Sequence, residues 1–345
     1  MSGVYARASI IVLAVATGAC PRSDSATDAP RALTMVEITS DQPGASAVAV
    51  DATHVYWNHV GSGTVRKAPR TGGEITTLYD DQSQGSAGGG RSIALDRDHV
   101  YFDDGFALRR VPKAGGPPET VGKLPILPAW VTADGDGAYS LGIRGVSSHS
   151  EGETNTTPSS EPEPCDLAVD ATHLYWAGSQ GVRTMPKGGG EVETLVEGPF
   201  SLGLCSLALS ETHVFYWRSG TDRGVHAVPK SGGASKLLAS TYRPPADMAV
   251  GQGVLYVLEG SGQVLGVDLA SGDVERFKVY VPGGGVSSSW GGLAVDGDHI
   301  FAARGGAYFG GPVHIDLTKP NAGSEVPPPK YSGAVVALRL GPAQD

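Results

Sequence analysis

The sequence predicts an all-β fold, a β-propeller of about seven four-stranded blades, and three observations support this prediction. A phrase of a small residue, an apolar residue, Asp, turn residues and an apolar-aromatic pair occurs seven times. Successive copies lie 36 to 45 residues apart, a spacing typical of propeller blades. The copies are rich in Val, Ile, Tyr and Phe, and no stretch shows helical periodicity. Six or eight blades are the alternative counts.

Each copy contains an anchor position, which holds Asp in most repeats. The anchors are Asp51, Asp96, Asp134, Asp170, Ser210, Gly251 and Asp296. A small residue lies two positions before every anchor, as expected for inner strands that crowd at a propeller hub. Tyr or Phe lies five positions after every anchor. These seven aromatic side chains predict a packing layer between blades.

The second repeat shows how one blade is expected to fold. Residues 91–96, 100–102, 108–111 and 119–122 are short apolar or alternating segments, which predict four strands. The third and fourth segments are joined by Pro, a basic residue and two glycines, a pattern that favours a tight turn. This basic turn occurs at 69–73, 112–116, 186–190 and 229–233.

We expect the last blade to contain both ends of the folded domain. Residues 33–39 lie upstream of the first anchor at the distance expected of an outer strand. Residues 333–340 would be an inner neighbour in the same blade, and pairing of the two strands would leave no open sheet edge. In an alternative register, residues 314–317 form the third strand.

The beginning of the chain predicts export. Residues 1–19 have a basic Arg7 and a short apolar run at 10–16, the pattern of a signal peptide. Cys20 lies where a bacterial lipoprotein carries its lipid, so we expect an envelope protein with a lipid anchor. Ordinary cleavage after Ala19 would instead give a soluble periplasmic or secreted protein. Residues 20–32 read as a flexible tether, and residues 33–342 as a single propeller domain.

The charge distribution argues against a nucleic-acid partner. The formal net charge is −10, and the 26 Lys and Arg residues are scattered without a basic stripe. The remaining partner classes are an envelope protein, a peptide or a glycan. We expect a monomer that contacts a membrane only through its lipid.

The repeats resemble known propeller families at particular residues. Tyr56-Trp57 and Tyr175-Trp176 resemble the YWTD-type propellers of lipoprotein receptors, although Asn58-His59 and Ala177-Gly178 replace the Thr-Asp of that motif. The chain is also similar to the NHL, SMP-30 and TolB-like propellers, and above all to uncharacterised bacterial propeller lipoproteins. This resemblance implies a fold and a location outside the cytoplasm, and it implies no activity.

The candidate ligand-binding residues lie just before the inner strands, where the repeats differ from one another. They are Arg91, Trp130, Asp166, Asp247 and Trp290. Loops at this end of the strands surround the central channel, so these side chains could hold a sugar or a peptide. Alternatively, they are ordinary loop residues that nothing requires to match. We predict no cofactor, with Ca²⁺ bound by Asp166 and Asp247 as the alternative.

Histidines and cysteines suggest structural roles. The histidines at 54, 99, 173, 213 and 299 each follow an anchor position by three residues. Because equivalent positions lie around a ring, they cannot converge on one metal ion, and we expect hydrogen bonds within each turn. Cys165 and Cys205 occupy equivalent positions in neighbouring repeats, so they form either a disulfide between blades or two buried thiols.

Two functions are compatible with these patterns. The first is a ligand- or protein-binding module, because no catalytic residue pattern occurs and we assign no catalytic residue. The alternative is a metal-dependent hydrolase or lyase of the lactonase or streptogramin-lyase type, with its site at the channel mouth. The acidic segment 149–164 is expected to be a mobile loop on the rim.

Overall fold

Every regular element in the described part of the chain is a β-strand. The computed structural model describes residues 11–14, 33–40, 44–59, 63–80, 92–124, 130–142, 144–150, 153–158, 164–198, 206–241, 243–260, 263–278, 289–296, 299–305 and 334–340. None of these segments forms a helix long and apolar enough to cross a membrane.

Six sheets have four strands each, and each is a blade of a propeller. Blade one contains β3 (Ala45–Val50), β4 (His54–His59), β5 (Val65–Pro69) and β6 (Thr76–Tyr79). Blade two contains β7 (Ile93–Leu95), β8 (His99–Asp103), β9 (Ala107–Pro112) and β10 (Glu119–Lys123). Blade three contains β11 (Trp130–Asp134), β12 (Gly137–Gly142), β13 (Gly145–Ser150) and β14 (Glu153–Pro158).

The next three blades repeat this pattern of antiparallel neighbours. Blade four contains β15 (Asp166–Val169), β16 (His173–Gly178), β17 (Gly181–Pro186) and β18 (Glu193–Glu197). Blade five contains β19 (Leu207–Leu209), β20 (His213–Arg218), β21 (Gly224–Pro229) and β22 (Lys236–Ala239). Blade six contains β23 (Pro245–Gly251), β24 (Val254–Glu259), β25 (Gln263–Asp268) and β26 (Val274–Lys278).

A further sheet has five strands and combines the two ends of the chain. It contains β1 (Ile11–Ala14), β2 (Leu33–Ser40), β27 (Ser289–Asp296), β28 (His299–Gly305) and β29 (Ala334–Leu340). The order is β1-β2-β29-β28-β27, and β1 also pairs with β28 and β29. The structure therefore shows six four-stranded blades instead of seven, because the seventh copy of the repeat lies in this five-stranded sheet. Residues 314–317 lie outside the described residues.

The five-stranded sheet packs closely against the first blade. Its strand β27 contacts β3 on one side and β23 on the other. A Cβ atom added at Gly291 would overlap the carbonyl oxygen of Ser46, and one added at Gly292 would lie 2.7 Å from the backbone nitrogen of Val48. Glycine is therefore required here by the close approach of two backbones.

The predicted aromatic layer between blades is confirmed. All seven aromatic residues that follow the anchors are at most 5% exposed. Tyr56 packs in one apolar cluster with Phe102 of blade two, and Tyr139 packs with Trp176 of blade four. Phe301 of the five-stranded sheet packs with Trp57 of blade one. The core is thus a series of layers between adjacent sheets, so each blade depends on its neighbours for burial.

The prediction of a mobile loop at 149–164 is wrong for the described part of that segment. His149 belongs to β13 and is 2% exposed, and residues 153–158 form β14, the outer strand of blade three. The Thr residues of this strand favour β structure, and they pair with β13 throughout. The acidic and Ser/Pro-rich composition of the segment favoured a loop in the prediction, although its Thr residues have a high propensity for strands.

Candidate functional site

The anchor carboxylates hold the turns between the first and second strands of the blades. Asp51 Oδ1 accepts hydrogen bonds from the backbone N–H groups of Thr53 and His54, both at 2.9 Å. Its Oδ2 accepts the hydroxyl of Tyr56 at 2.9 Å. Asp170 makes the same three kinds of contact, and so does Asp96. The prediction that the Asp-x-x-His pattern stabilises its own turn is confirmed.

A cation from the following blade completes four of these anchors. Lys113 Nζ lies 3.1 Å from Asp51 Oδ2, Lys187 Nζ lies 2.6 Å from Asp134 Oδ2, and Lys230 Nζ lies 2.7 Å from Asp170 Oδ2. Arg70 forms an equivalent ion pair with Asp296. Sequence reasoning recognised the basic turns but missed these links, because they join residues of different repeats.

The topology explains why the basic turns reach the anchors. Neighbouring strands of a blade are antiparallel, so the turn after the first strand and the turn after the third strand lie at the same end. We call the propeller surface that carries these turns the anchor face. Each cation also lies over the ring of the neighbouring aromatic residue, at 5.6 Å for Lys113 over Tyr56 and 5.2 Å for Lys230 over Tyr175.

The contacts around Asp51 favour the ionised form of its carboxyl group. Burial opposes ionisation of Asp51, but hydrogen bonds from Thr53, His54 and Lys113 outweigh burial and hold the pKa of this carboxyl well below its usual range. Burial, together with the hydrogen bond to Asp51, raises the pKa of Tyr56. The anchor face therefore carries fixed ion pairs that connect consecutive blades.

The opposite ends of the inner strands carry the candidate ligand residues. Asp166 begins β15, four residues before its anchor, and Asp247 occupies the equivalent position in β23. Asp166 Oδ2 accepts the backbone N–H of Leu207 in blade five at 2.6 Å. Asp247 Oδ2 accepts the backbone N–H of Leu293 in β27 at the same distance. Each carboxylate thus links its own inner strand to the next one around the hub.

Ser206 connects the two carboxylates to each other. Its hydroxyl donates to Asp247 Oδ1 at 3.1 Å, and it precedes Leu207, the residue that donates to Asp166. Asp166 Oδ1 accepts the backbone N–H of Leu167, and Asp247 Oδ1 also accepts the backbone N–H of Met248, both at 2.8 Å. We call Asp166, Ser206 and Asp247 the hub triad.

The hub triad has unusual protonation. Burial, and next the charge of Asp247, raise the pKa of Asp166 to about 8, despite two backbone hydrogen bonds that act in the opposite direction. Burial raises the pKa of Asp247 to about 6. Both residues keep a fraction of their surface exposed, although protein surrounds their carboxyl groups. Burial and mutual repulsion thus favour the protonated form of the pair, and a protonated carboxyl group can donate as well as accept a hydrogen bond.

The other predicted site residues are only partly described. Trp130 is half-buried and packs against the apolar clusters that contain Cys165 and Leu167, so its ring lies beside blade four. Arg91, the side chain of Trp290 and the lipidation residue Cys20 lie outside the described residues.

Cys165 is disulfide-bonded. The predicted partner, Cys205, lies outside the described residues, so that pairing stays a prediction.

The described residues offer little to a metal ion. They contain no group of three His, Cys, Asp or Glu side chains that could hold one. Ca²⁺ takes six to eight oxygen ligands, whereas both oxygens of Asp166 and of Asp247 already accept N–H groups. The Ca²⁺ hypothesis stays a prediction.

The fold defines the class of this protein as a β-propeller with a polar hub. No family model and no curated protein matches the chain. Among solved structures, "YCF48 bound to D1 peptide" matches with a TM-score of 0.57 at 13% identity, over 77% of this chain and 92% of that one. The computationally designed Ika8 protein matches with a TM-score of 0.55 at 14% identity, over 77% and 81%.

Two further structures resemble the chain. A puromycin-hydrolyzing peptidase of Mycobacterium tuberculosis matches with a TM-score of 0.55 at 19% identity, over 76% of this chain and 49% of the peptidase. The chain thus spans about half of that enzyme. A nidogen/laminin complex matches with a TM-score of 0.46 at 17% identity, over 71% and 84%. At these identities the three matches with TM-scores of 0.55 to 0.57 establish the fold alone.

Proposed function

We propose that the protein is an exported, lipid-anchored β-propeller that binds a peptide, a glycan or an envelope protein at its hub. The observation that carries this proposal is the hub triad, in which two carboxyl groups and a hydroxyl converge on rigid inner strands. A carboxyl pair that holds one proton presents both donors and acceptors, as recognition of sugar hydroxyls or peptide amides requires. Trp130 lies beside the next blade and supplies an aromatic surface nearby.

Two features support the proposed location. Residues 1–19 have the pattern of a signal peptide, and Cys20 follows at the position where a bacterial lipoprotein carries its lipid. In addition, Cys165 is disulfide-bonded, and disulfides form and persist mainly in oxidising compartments outside the cytoplasm. Cys20→Ser tests the anchor. The wild-type protein should incorporate an alkyne-labelled fatty acid and sediment with membranes, and the variant should do neither. Equal labelling of both proteins would contradict the proposal.

The five-stranded sheet is proposed to act as the last blade of the ring. Cleavage before Cys20 would remove β1 and leave four strands in the order β2-β29-β28-β27. The antiparallel pairing of β2 with β29 supports an N-terminal strand as the closing element. The contact of β27 with β3 and the ion pair between Arg70 and Asp296 support a closed ring.

The alternative function is a metal-dependent hydrolase or lyase of the lactonase or streptogramin-lyase type. One observation favours it: the raised pKa of Asp166, coupled to Asp247, is the kind of perturbation that accompanies acid-base chemistry. The same carboxylates also hold neighbouring strands together, and that role alone accounts for their burial.

A thermal-shift titration with Ca²⁺ separates the two functions, followed by a binding screen. A rise in Tm that EDTA reverses, and that Asp166→Asn with Asp247→Asn abolishes, would support the enzyme. The binding module predicts no such rise. It further predicts that an array of immobilised glycans and peptides retains the wild-type protein and loses the double variant. Circular dichroism of the variant establishes that it is folded, and failure of both experiments would overturn a functional role for the hub triad.

A further inference from the structure

The interface between blades two and three differs from the four interfaces that a cation completes. In those four, the basic turn of one blade supplies a Lys or Arg to the anchor of the preceding blade. The anchor of blade two is Asp96. Among the described residues its ionic neighbour is His99 of its own turn, with Nδ1 at 3.4 Å from Oδ2.

A cavity lies beside Asp96 and Tyr101 at this interface. It has a volume of about 350 Å³ and lies between the anchor turns of blades two and three. The side chains that matter for its chemistry are Asp96, Tyr101, Arg110, Glu119, Asp136 and His149.

This cavity contains the two groups that contact a lysine ammonium at the other interfaces, the anchor carboxylate and the tyrosine five positions after it. The hydroxyl of Tyr101 donates to Asp96 Oδ2 at 2.8 Å, as Tyr56 does to Asp51 at 2.9 Å and Tyr175 does to Asp170 at 3.0 Å. In blade four, the Lys230 ammonium contacts Asp170 Oδ2 and lies 5.2 Å from the centre of the Tyr175 ring. The same carboxylate and ring are therefore present at Asp96 and Tyr101, and Arg110 of the same blade is hydrogen-bonded to the Tyr101 hydroxyl.

The sequence of blade three lacks the basic residue that the other basic turns supply. Strand β13 ends at Ser150, where the strands before the basic turns end with Pro. The next residue is Glu151, at the position that holds Lys or Arg in the basic turns. Glu151 itself lies outside the described residues. An acidic residue has thus replaced the basic one in the repeat pattern.

The other polar groups of the cavity are engaged elsewhere, whereas Asp96 has the contacts of its own blade but not the cation from the next blade that Asp51 and Asp170 have. Arg110 Nε donates to Glu119 at 2.8 Å, and Asp136 pairs with Lys187 at 2.5 Å. His149 bonds to Ser140 and Thr154, and burial lowers its pKa to about 4, so it carries no charge near neutral pH.

We propose that this cavity binds a primary ammonium group on an alkyl stem, either a free alkylamine or a lysine side chain of a peptide. The ammonium contacts Asp96 Oδ2, and the stem lies across the ring of Tyr101, as the protein's own lysines do at the other interfaces. A primary ammonium is favoured because three of the four internal examples use Lys. This site lies on the anchor face, away from the hub triad, and does not depend on the proposed hub function.

Calorimetric titration with two matched probes tests the site. Nα-acetyl-lysine methylamide carries the ammonium, whereas its Nε-acetylated form has the same stem without the charge. The first should bind, and the second should bind at least tenfold more weakly, because an ion-paired hydrogen bond is lost. Equal binding of the two probes, or no binding of either, would overturn the proposal.

Substitutions locate the site. Asp96→Asn should weaken binding of the lysine probe at least tenfold. The matched control is Asp170→Asn, which alters the equivalent anchor where Lys230 is already present and should leave binding unchanged. Equal effects of Asp96→Asn and Asp170→Asn on binding of the lysine probe would contradict the assignment of the site to Asp96. Asp166→Asn at the hub should also leave binding unchanged, so this test and the test of the hub function can fail separately.

Two further arms identify the source of the ammonium and guard against a merely destabilised variant. Binding of n-butylamine but not of Gly-Lys-Gly would indicate a small amine, and binding of both would indicate a peptide lysine; either outcome supports the site.

Glu151→Lys restores the basic residue of the repeat pattern. It should raise Tm and abolish binding of the lysine probe, whereas retained binding at full affinity would contradict the internal analogy.

Discussion

Arg70 and Asp296 form an ion pair although they lie 226 residues apart in the sequence. The pair joins the basic turn of blade one to the anchor of the five-stranded sheet, and the guanidinium lies 5.0 Å from the centre of the Phe301 ring. The first and last copies of the repeat are thus connected by the same device that connects neighbouring blades elsewhere.

Removal of this connection should weaken the interface between blade one and the five-stranded sheet. Arg70→Met keeps much of the apolar stem but loses the ion pair and the ring contact, so we expect a loss of about 1 kcal/mol in unfolding free energy, with Asp296 partly exposed. Chemical denaturation measures the change. Arg97→Met, at an exposed turn position, is the control and should have little effect. Equal stability of wild type and Arg70→Met would show that the pair contributes nothing to closure.

The ion pair between Lys230 and Asp170 should show energetic coupling. Lys230→Met in the wild-type background leaves the Asp170 carboxylate without its cation. In the Asp170→Asn background the same substitution removes no ion pair. A double-mutant cycle should therefore give a coupling energy of about 1 kcal/mol, because both side chains are largely buried. Denaturation at high salt should reduce this value only partly. A coupling energy of zero would contradict the interpretation of the basic turn as a link between blades.

The hub triad should make stability depend on pH in an unusual direction. The pKa of Asp166 is raised to about 8 in the folded protein from an ordinary value of 3.8. Between about pH 4 and pH 8 the unfolded chain therefore releases a proton that the folded protein retains, so Asp166 costs stability as pH rises, by about 1.4 kcal/mol per pH unit at most. Below the unfolded pKa this penalty disappears.

Comparison with Asp166→Asn isolates this contribution. The difference in unfolding free energy between wild type and variant should change steadily from pH 4 to pH 8, in the direction that disfavours the wild type at higher pH. Asp51→Asn provides the opposite case. Its carboxyl has a lowered pKa, so the wild-type advantage should be present above pH 4 and be lost as pH falls further. A flat difference for Asp166→Asn would refute the raised pKa.

The contact between β27 and β3 should tolerate no side chain. Gly291→Ala places a methyl group on the carbonyl oxygen of Ser46, and the backbones must separate, which we expect to cost about 2 kcal/mol or more. Gly188→Ala is the matched control, since a Cβ atom there meets nothing within 4 Å. If thermal unfolding finds both variants as stable as wild type, the close approach is not part of the folded protein.

Much of the architecture could be predicted from local sequence patterns. The Asp-x-x-His turn and the basic turn are formed by residues within a few positions of each other, so their sequence signatures suffice. The aromatic layer follows from a position repeated in every copy. The five-stranded sheet was not predicted, because the apolar run at Ile11–Ala14 reads as part of an export signal and also pairs as a strand.

The sequence predicted two members of the hub triad, Asp166 and Asp247, but not Ser206, whose hydroxyl donates to Asp247. Asp166 and Asp247 were singled out because they differ between repeats, and the structure brings them together. Their role as acceptors for the next inner strand depends on partners 41 and 46 residues away, which a single sequence does not reveal. The cavity beside Asp96 was missed for a related reason, since it appears only when one blade is compared with its neighbour in space.

The anchors of blades five and six are Ser210 and Gly251, which carry no charge. Ion pairs therefore link blade one to the five-stranded sheet and to blade two, and blade four to blades three and five. Blades five and six instead meet through an apolar surface that includes Phe215, Met248 and Leu255. Native-state hydrogen exchange would register this asymmetry. Salt should accelerate exchange at the interfaces that ion pairs link and leave exchange between blades five and six nearly unchanged. Ionic strength would thus determine which interface opens first.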